Sequence, residues 1–157
     1  MARGLTYVAT FTAVSATAAQ DLFSILAAAN IPIEILWARV SCEGQASPTE
    51  LRLQCKRIAA AALGSGGTVV TPAEKGQVSG RAAAATVHAN DTTRATTTGS
   101  KQVLWVGTIQ DLNNLDDVMI PELWPMIPAG DALIVGLEVA PGSAVTLFGA
   151  AQFSELD

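Results

Sequence analysis

Several residue types that carry catalysis and metal binding are scarce in this chain of 157 residues. It has one histidine, His88, and two cysteines, Cys42 and Cys55. These are too few for a tetrahedral zinc site, and two cysteines do not make a disulfide framework. We therefore expect no metal and no other cofactor. Both cysteines are expected to be small buried apolar side chains, with a single disulfide between adjacent strands as the alternative.

Charged residues are also few, at 15% of the sequence, and acidic residues outnumber basic ones. The formal net charge is −5 and the pI is about 4.7, with no local cluster of Lys and Arg. Proteins that bind DNA or RNA neutralise phosphates with such clusters, so no nucleic-acid partner is expected. No apolar run reaches the roughly 18 residues of a membrane-spanning helix, so no membrane partner is expected either.

What the chain does have is a high apolar content and frequent alternation of apolar and polar residues. A typical alternating stretch is Thr6 to Val14, in which Tyr7, Ala9 and Phe11 share one face. About eight short strands are predicted, at 6–14, 33–42, 50–58, 68–71, 82–89, 102–109, 131–139 and 145–153. Strands that follow one another without helices favour antiparallel pairing. We predict one domain over residues 1–157, mainly β, as an antiparallel β-sandwich or jelly roll.

One short helix is predicted near the N-terminus of the sequence. Residues 17–20 fit a capping box, and Asp21 places a favourable negative charge in the first turn. Asn30 and Pro32 end the segment. The apolar residues within the segment recur at helical spacing, which predicts one buried face: Leu22, Ile25, Leu26 and Ala29.

Three glycines and a serine, Gly64-Ser65-Gly66-Gly67, lie between an apolar run and two valines. A phosphate-binding loop needs Lys and Ser or Thr directly after its last glycine, at the start of a helix. Here a strand-like run that ends at Pro72 follows instead. The pattern therefore favours a glycine-rich turn whose small residues let another backbone approach closely.

Two groups of residues have a catalytic or cation-binding alternative. His88 is a candidate general base, with Ser79, Ser100 or Cys42 as nucleophile, but no nucleophile motif accompanies it and a structural histidine is favoured. The acidic residues of the second group lack the alternate spacing and the glycine of a calcium loop, so a solvated loop face is favoured. We expect no enzymatic activity. The acidic group consists of Asp111, Asp116, Asp117 and Glu122.

Two long connections remain. Residues 90–100 are polar and Thr-rich and are predicted to form an exposed loop. Residues 110–130 are more apolar than an exposed loop, so they either fold over the open end of the sandwich or form a subunit interface, where Trp and Met are enriched. The candidate interface residues are Leu115, Met119, Ile120, Leu123, Trp124, Met126 and Ile127.

The order of segments resembles small virion proteins of tailed bacteriophages. The resemblance rests on the run "TAAQDLFSILAAANIPIEIL", "ELRLQCKRI", "TVVTPAEKG", "AAAATVHANDTT" and "PELWPMIPAGDALIVGLEVAP" with a tail ending "FSELD", and it spans nearly the whole chain. It implies a jelly-roll-type capsid decoration or cement protein of the virion, assembled in the bacterial host cytoplasm. The implied partners are further copies of the chain, with a trimer favoured over a dimer, and the major capsid protein.

The alternative from another functional class is a tail-associated receptor- or carbohydrate-binding jelly-roll module. Sugar sites combine exposed aromatic side chains with nearby Asp, Asn or Arg. Trp37 and Trp105 lie in predicted strands, which favours core positions, and Trp124 lies in a connection. An enzyme on a cupin-like barrel needs a cluster of histidines, and one histidine is too few.

Overall fold

The computed structural model describes residues 4–43, 51–76, 79–109, 115–117 and 125–156. These residues form a mainly β structure without a helix, so they contain no helix long and apolar enough to cross a membrane. The strands are β1 (Thr6–Ala16), β2 (Asp21–Leu26), β3 (Ile33–Glu43), β4 (Leu51–Ala62), β5 (Thr68–Val70), β6 (Ala73–Glu74), β7 (Thr86–Asp91), β8 (Thr96–Ile109), β9 (Leu115–Asp117), β10 (Met126–Ile127), β11 (Ala132–Leu137) and β12 (Val145–Glu155).

The strands form two antiparallel sheets. In sheet I the order is β10-β3-β12-β1-β6, and β9 also pairs with β3. In sheet II the order is β5-β7-β2-β11-β4-β8. β11 and β12, the last two described strands of the sequence, therefore lie in the interior of the two sheets. This architecture agrees with the predicted antiparallel β-sandwich.

The sheets pack face to face around one main core. Tyr7 and Phe153 stack with ring centroids 5.7 Å apart on β1 and β12. Phe11 of sheet I meets Phe23 of sheet II edge to face, with ring centroids 5.1 Å apart. Burial of each such side chain contributes about 1.5–3 kcal/mol. Further fully buried core residues are Ile25, Ile33, Ile35, Leu53, Leu133 and Leu137.

The outer face of sheet II is also covered. Ile58, Ala132 and Ile134, which alternate with core-facing residues, form a second small apolar cluster. Leu63 and Ala95, from segments beside β4 and β8, pack against this cluster. The central strands of sheet II are therefore buried on both faces.

The predicted N-terminal helix is wrong, because Asp21–Leu26 form β2 between β7 and β11. Phe23 and Ile25 face the main core, and Ser24 is fully buried on the other face. A strand that is covered on both faces shows no polar alternation, so its apolar residues matched helical spacing by coincidence.

Several predicted strands are confirmed with changed limits, and one predicted loop is wrong. The polar run 90–100 belongs largely to strands, since β7 extends to Asp91 and β8 begins at Thr96. Threonine fits a half-exposed edge strand as well as a loop, which explains the difference. The turn at 140–143 joins β11 in sheet II to β12 in sheet I, so it crosses between sheets.

The cysteines lie in different sheets, and they form no disulfide in the part of the chain that the structure describes. Cys55 on β4 is buried in the main core, as expected, whereas Cys42 on β3 is half-buried at its margin. The alternative of a disulfide between adjacent strands is therefore wrong.

Candidate functional site

The candidate interface segment is described only at its two ends. Leu115 in β9 pairs with Val40, and β10 pairs with Ile33 and Glu34, so both ends lie along the same edge of β3. Ile127 is 0% exposed in the main core, whereas Met126 is 48% exposed. Met119, Ile120, Leu123 and Trp124 lie outside the described residues, so the interface stays a prediction.

The two edge strands of sheet II, β5 and β8, differ in length. β5 has three residues, but β8 has fourteen and pairs with β4 as its one described neighbour. Val103 and Val106 on β8 are 44% and 47% exposed, beside β4 on the outer face. From Trp105 to Ile109 the β4–β8 pairing has no register shift. Register shifts interrupt this pairing on the N-terminal side of Trp105, so the regular part of the edge is short. A sheet edge that pairs with no other described strand is a site at which another strand can be added.

A charged network lies on the outer face of sheet II. Lys56 Nζ donates to Glu138 Oε1 at 3.0 Å, and Arg94 Nη2 donates to the same oxygen at 2.6 Å. Arg94 Nε also lies 3.4 Å from Asp21 Oδ1, and the backbone N–H of Ala95 donates to Asp21 Oδ2 at 2.7 Å. Asp21 is fully buried. The network fixes the segment between β7 and β8 onto the sheet, which is a structural role.

The surroundings of Glu138 lower the pKa of its carboxyl group. Burial opposes ionisation of Glu138, but the hydrogen bond and charge of Lys56, with the charge of Arg94, outweigh that effect. A carboxyl group whose pKa is lower in the folded chain stabilises the fold above its usual value of 4.5. This stabilisation is lost as the pH falls through the folded-state pKa.

We expect Glu138→Gln to flatten the loss of stability in acid. The free energy of unfolding, measured in urea between about pH 3 and pH 6, should vary less with pH in this variant than in the parent chain. Asp91→Asn is the matched control, because burial raises the pKa of Asp91 and the nearby charge of His88 only partly offsets the rise. Ionisation of Asp91 costs stability as the pH rises above 3.8, so Asp91→Asn should change the slope in the opposite direction. Slopes that change in the same direction would contradict this account.

His88 lies against the glycine-rich turn. Its Nδ1 is 3.2 Å from the carbonyl oxygen of Gly64 and 3.3 Å from Asp91 Oδ2. Two of the candidate nucleophiles are elsewhere: the Ser79 hydroxyl donates to Glu74 at 3.0 Å, and Cys42 is in the other sheet. The contacts of His88 therefore match the favoured structural histidine.

The prediction of a glycine-rich turn with a close backbone approach is confirmed, and the approaching backbone is that of β7 and the residues after it. A Cβ on Gly64 would lie 2.4 Å from the carbonyl oxygen of Thr93. A Cβ on Gly67 would lie 2.2 Å from the carbonyl oxygen of Ala89. Ser65 and Thr93 exchange two backbone hydrogen bonds of 2.9 Å. The small residues thus dock this turn onto sheet II.

The acidic group is only partly described. Asp116 and Asp117 belong to β9, while Asp111 and Glu122 lie outside the described residues. In the part of the chain that the structure describes, no three His, Cys, Asp or Glu side chains are placed to hold a metal ion.

A polar cleft of about 230 Å³ lies on the outer face of sheet I, and we call it the sheet I cleft. Its floor contains the side chains of Gln152 and Ser154 from β12, both more than nine-tenths buried. The hydroxyls of Thr6 and Ser154 are 2.8 Å apart in a hydrogen bond. The other lining residues are Gly4, Glu34, Leu36, Lys75 and Leu156.

Trp37 lies beside this cleft, on the outer face of the sheet, and its predicted place in the core is wrong. Its Nε1–H donates to Gln152 Oε1 at 2.7 Å, and the guanidinium of Arg39 lies 5.2 Å from the ring centroid. The register of β3 against β12 shifts around Leu36, so Trp37 faces the opposite side from Ile35. Such a bulge reverses the alternation that a sequence pattern relies on, and no residue in the pattern marks it.

No protein-family model, no curated protein and no solved structure matches this chain.

Proposed function

We propose that the chain is a non-enzymatic structural protein, which forms a symmetric oligomer that decorates and stabilises a bacteriophage capsid shell. The observation that carries the proposal is the outer edge of β8 in sheet II, with which no other strand of the described residues pairs. Natural sheet proteins protect long edges with charges, proline, β-bulges or covering segments. β8 has a single charged residue, Lys101, and no proline, and from Trp105 to Ile109 its pairing with β4 has no bulge.

A second copy of this chain is the occupant that suits this edge. The chain carries a net charge of −5, so copies repel each other over most surfaces, but β8 itself contains one charged residue. Strand addition satisfies the unpaired backbone groups, and Val103 and Val106 supply exposed apolar area beside the joint. The edge therefore combines hydrogen bonding, apolar contact and little like-charge repulsion.

The placement on a capsid is supported by the similarity in layout to small virion proteins of tailed bacteriophages. On this proposal the two sheets have jelly-roll connections, the major capsid protein is the second partner, and the copies assemble in the host cytoplasm. The low content of charged residues, at 15%, and the many small residues of the chain suit a subunit that buries surface against a shell.

We expect the double variant Val103→Lys/Val106→Lys to lose self-association by about a hundredfold, because like charges would meet at the joint. Multi-angle light scattering should give a multiple of 16.2 kDa for the parent chain and 16.2 kDa for the variant. The matched control is Val69→Lys on the three-residue edge strand β5, where the valine is more exposed than Val103 and Val106 but the edge is short. A monomeric parent, or equal loss in both variants, would contradict the β8 interface.

The shell itself is tested on purified virions. Mass spectrometry and cryo-imaging should find the protein in copy numbers that match the capsid lattice. A handful of copies at the tail would overturn the decoration role.

A further inference from the structure

The orientation of Gln152 leaves a hydrogen-bond donor in the sheet I cleft. Its Oε1 accepts from Trp37 Nε1 at 2.7 Å and from Lys75 Nζ at 3.3 Å. Both neighbours are donors only, so the amide oxygen must face them and the amide nitrogen must face away. Gln152 Nε2 makes no hydrogen bond within the described residues, although the side chain is more than nine-tenths buried.

Acceptor capacity is supplied by Glu34. It alternates with the buried Ile33 and Ile35 on β3, so its carboxylate faces the cleft. Glu34 makes no ion pair or hydrogen bond through its side chain in the part of the chain that is described. Lys75, held by a backbone hydrogen bond of 2.8 Å to Thr6, adds a cation on the same cleft.

The remaining lining sets the size and polarity of a ligand. Leu36 and Leu156 provide apolar contact, and the hydroxyls of Thr6 and Ser154 add groups that both donate and accept. The volume of about 230 Å³ is below the range of about 300–1,000 Å³ for drug-sized ligands, so it takes one small ring. Opposite charges in one cleft give no net attraction to an ion.

We infer that the sheet I cleft binds a neutral sugar ring, such as one residue of a cell-surface glycan. Ring hydroxyls both donate and accept, so they match the Glu34 carboxylate, the Gln152 amide and the two hydroxyls around the cleft. The C–H groups of the ring contact Leu36 and Leu156, which take the place of the exposed aromatic side chain of most sugar sites. This binding is independent of the β8 edge, which belongs to the other sheet.

The test uses methyl glycosides of glucose, galactose, mannose and N-acetylglucosamine with the full chain. Saturation-transfer NMR should detect binding of at least one of them. The indole N–H resonance of Trp37 should also shift, because this group donates a hydrogen bond to Gln152 in the cleft. Glu34→Gln should weaken the bound glycoside about tenfold, since a charge-assisted hydrogen bond becomes a neutral one.

Thr12→Val is the matched control, because Thr12 is exposed on β1 and does not line the cleft. This variant should bind the glycoside as the parent does. A cleft that binds none of the four glycosides, or that binds one equally well after Glu34→Gln, would overturn the inference. Displacement of the bound glycoside by free glycine or serine would show that the cleft is a zwitterion site, and this result would overturn the inference too. Loss of β8 association leaves this result unaffected, so the two proposals fail separately.

Discussion

Replacing Asp21 with alanine is expected to lower the free energy of unfolding by about 3 kcal/mol. The substitution removes a fully buried carboxylate that accepts from the backbone N–H of Ala95 at 2.7 Å and pairs with Arg94. The Ala95 N–H and the Arg94 guanidinium would then lose this acceptor. The estimate is at the low end for a broken buried pair because the Arg94 side chain is 33% exposed and water screens it. Urea unfolding followed by circular dichroism measures the change.

The matched control is Asp131→Ala. Asp131 also pairs with an arginine, Arg57, but at 3.8 Å and with both side chains partly exposed. We expect a loss below about 1 kcal/mol there. Asp21→Asn, which keeps an acceptor for the Ala95 N–H, should fall between the two variants. Equal losses from Asp21→Ala and Asp131→Ala would show that burial does not set the strength of the network.

Replacing Gly67 with alanine is expected to cost about 3 kcal/mol, at the upper end for overpacking. The new Cβ would lie 2.2 Å from the carbonyl oxygen of Ala89 and 2.6 Å from the carbonyl carbon and oxygen of Asn90. These are backbone atoms of β7, so no side-chain rotation relieves the clash. The turn would have to lift off sheet II, and thermal unfolding should show the loss as a lower Tm.

Gly142 serves as the control for this second variant. A Cβ there meets no atom within 4 Å, and its backbone is outside the left-handed region. Gly142→Ala is therefore expected to be neutral or to stabilise the chain by up to about 1 kcal/mol, since alanine restricts the unfolded state. A Tm for Gly67→Ala equal to that of Gly142→Ala would mean that the turn is not docked on β7.

Strands with one face exposed to solvent were predictable from the sequence. In β1, Tyr7, Ala9 and Phe11 alternate with polar or exposed positions, and the structure buries all three. The first residues of β4 follow the same rule, with Leu51 and Leu53 in the core and Arg52 exposed. Alternation survives in these strands because one face meets solvent and the other meets the opposite sheet.

Prediction failed where burial or register departs from simple alternation. β2 is covered on both faces, so its six residues show no period-two signal and their apolar spacing predicts a helix. The local pattern predicts a core position for Trp37, because the shift in register around Leu36 depends on pairing with β12, more than a hundred residues later. Both errors come from contacts between distant segments, which a local pattern does not contain.

The candidate sites show the same division. The apolar character of 110–130 was visible locally, and the burial of Ile127 explains part of it. The sheet I cleft was not visible, because Thr6, Glu34, Lys75 and Gln152 come from four strands or turns and meet only in the folded sheet. Each of these four residues stands alone in the sequence, so no sequence motif marks the cleft.

The interior positions of β11 and β12 bear on how the chain folds during synthesis. β12 separates β1 from β3, and β11 separates β2 from β4, so neither sheet closes until these last two strands have left the ribosome. Until then, the earlier strands have unpaired edges and exposed apolar faces. A chain in this state is prone to aggregation and is a substrate for chaperones. A ribosome stalled before residue 132 would therefore present a chain that is still largely unfolded, whatever the stability of the finished sandwich.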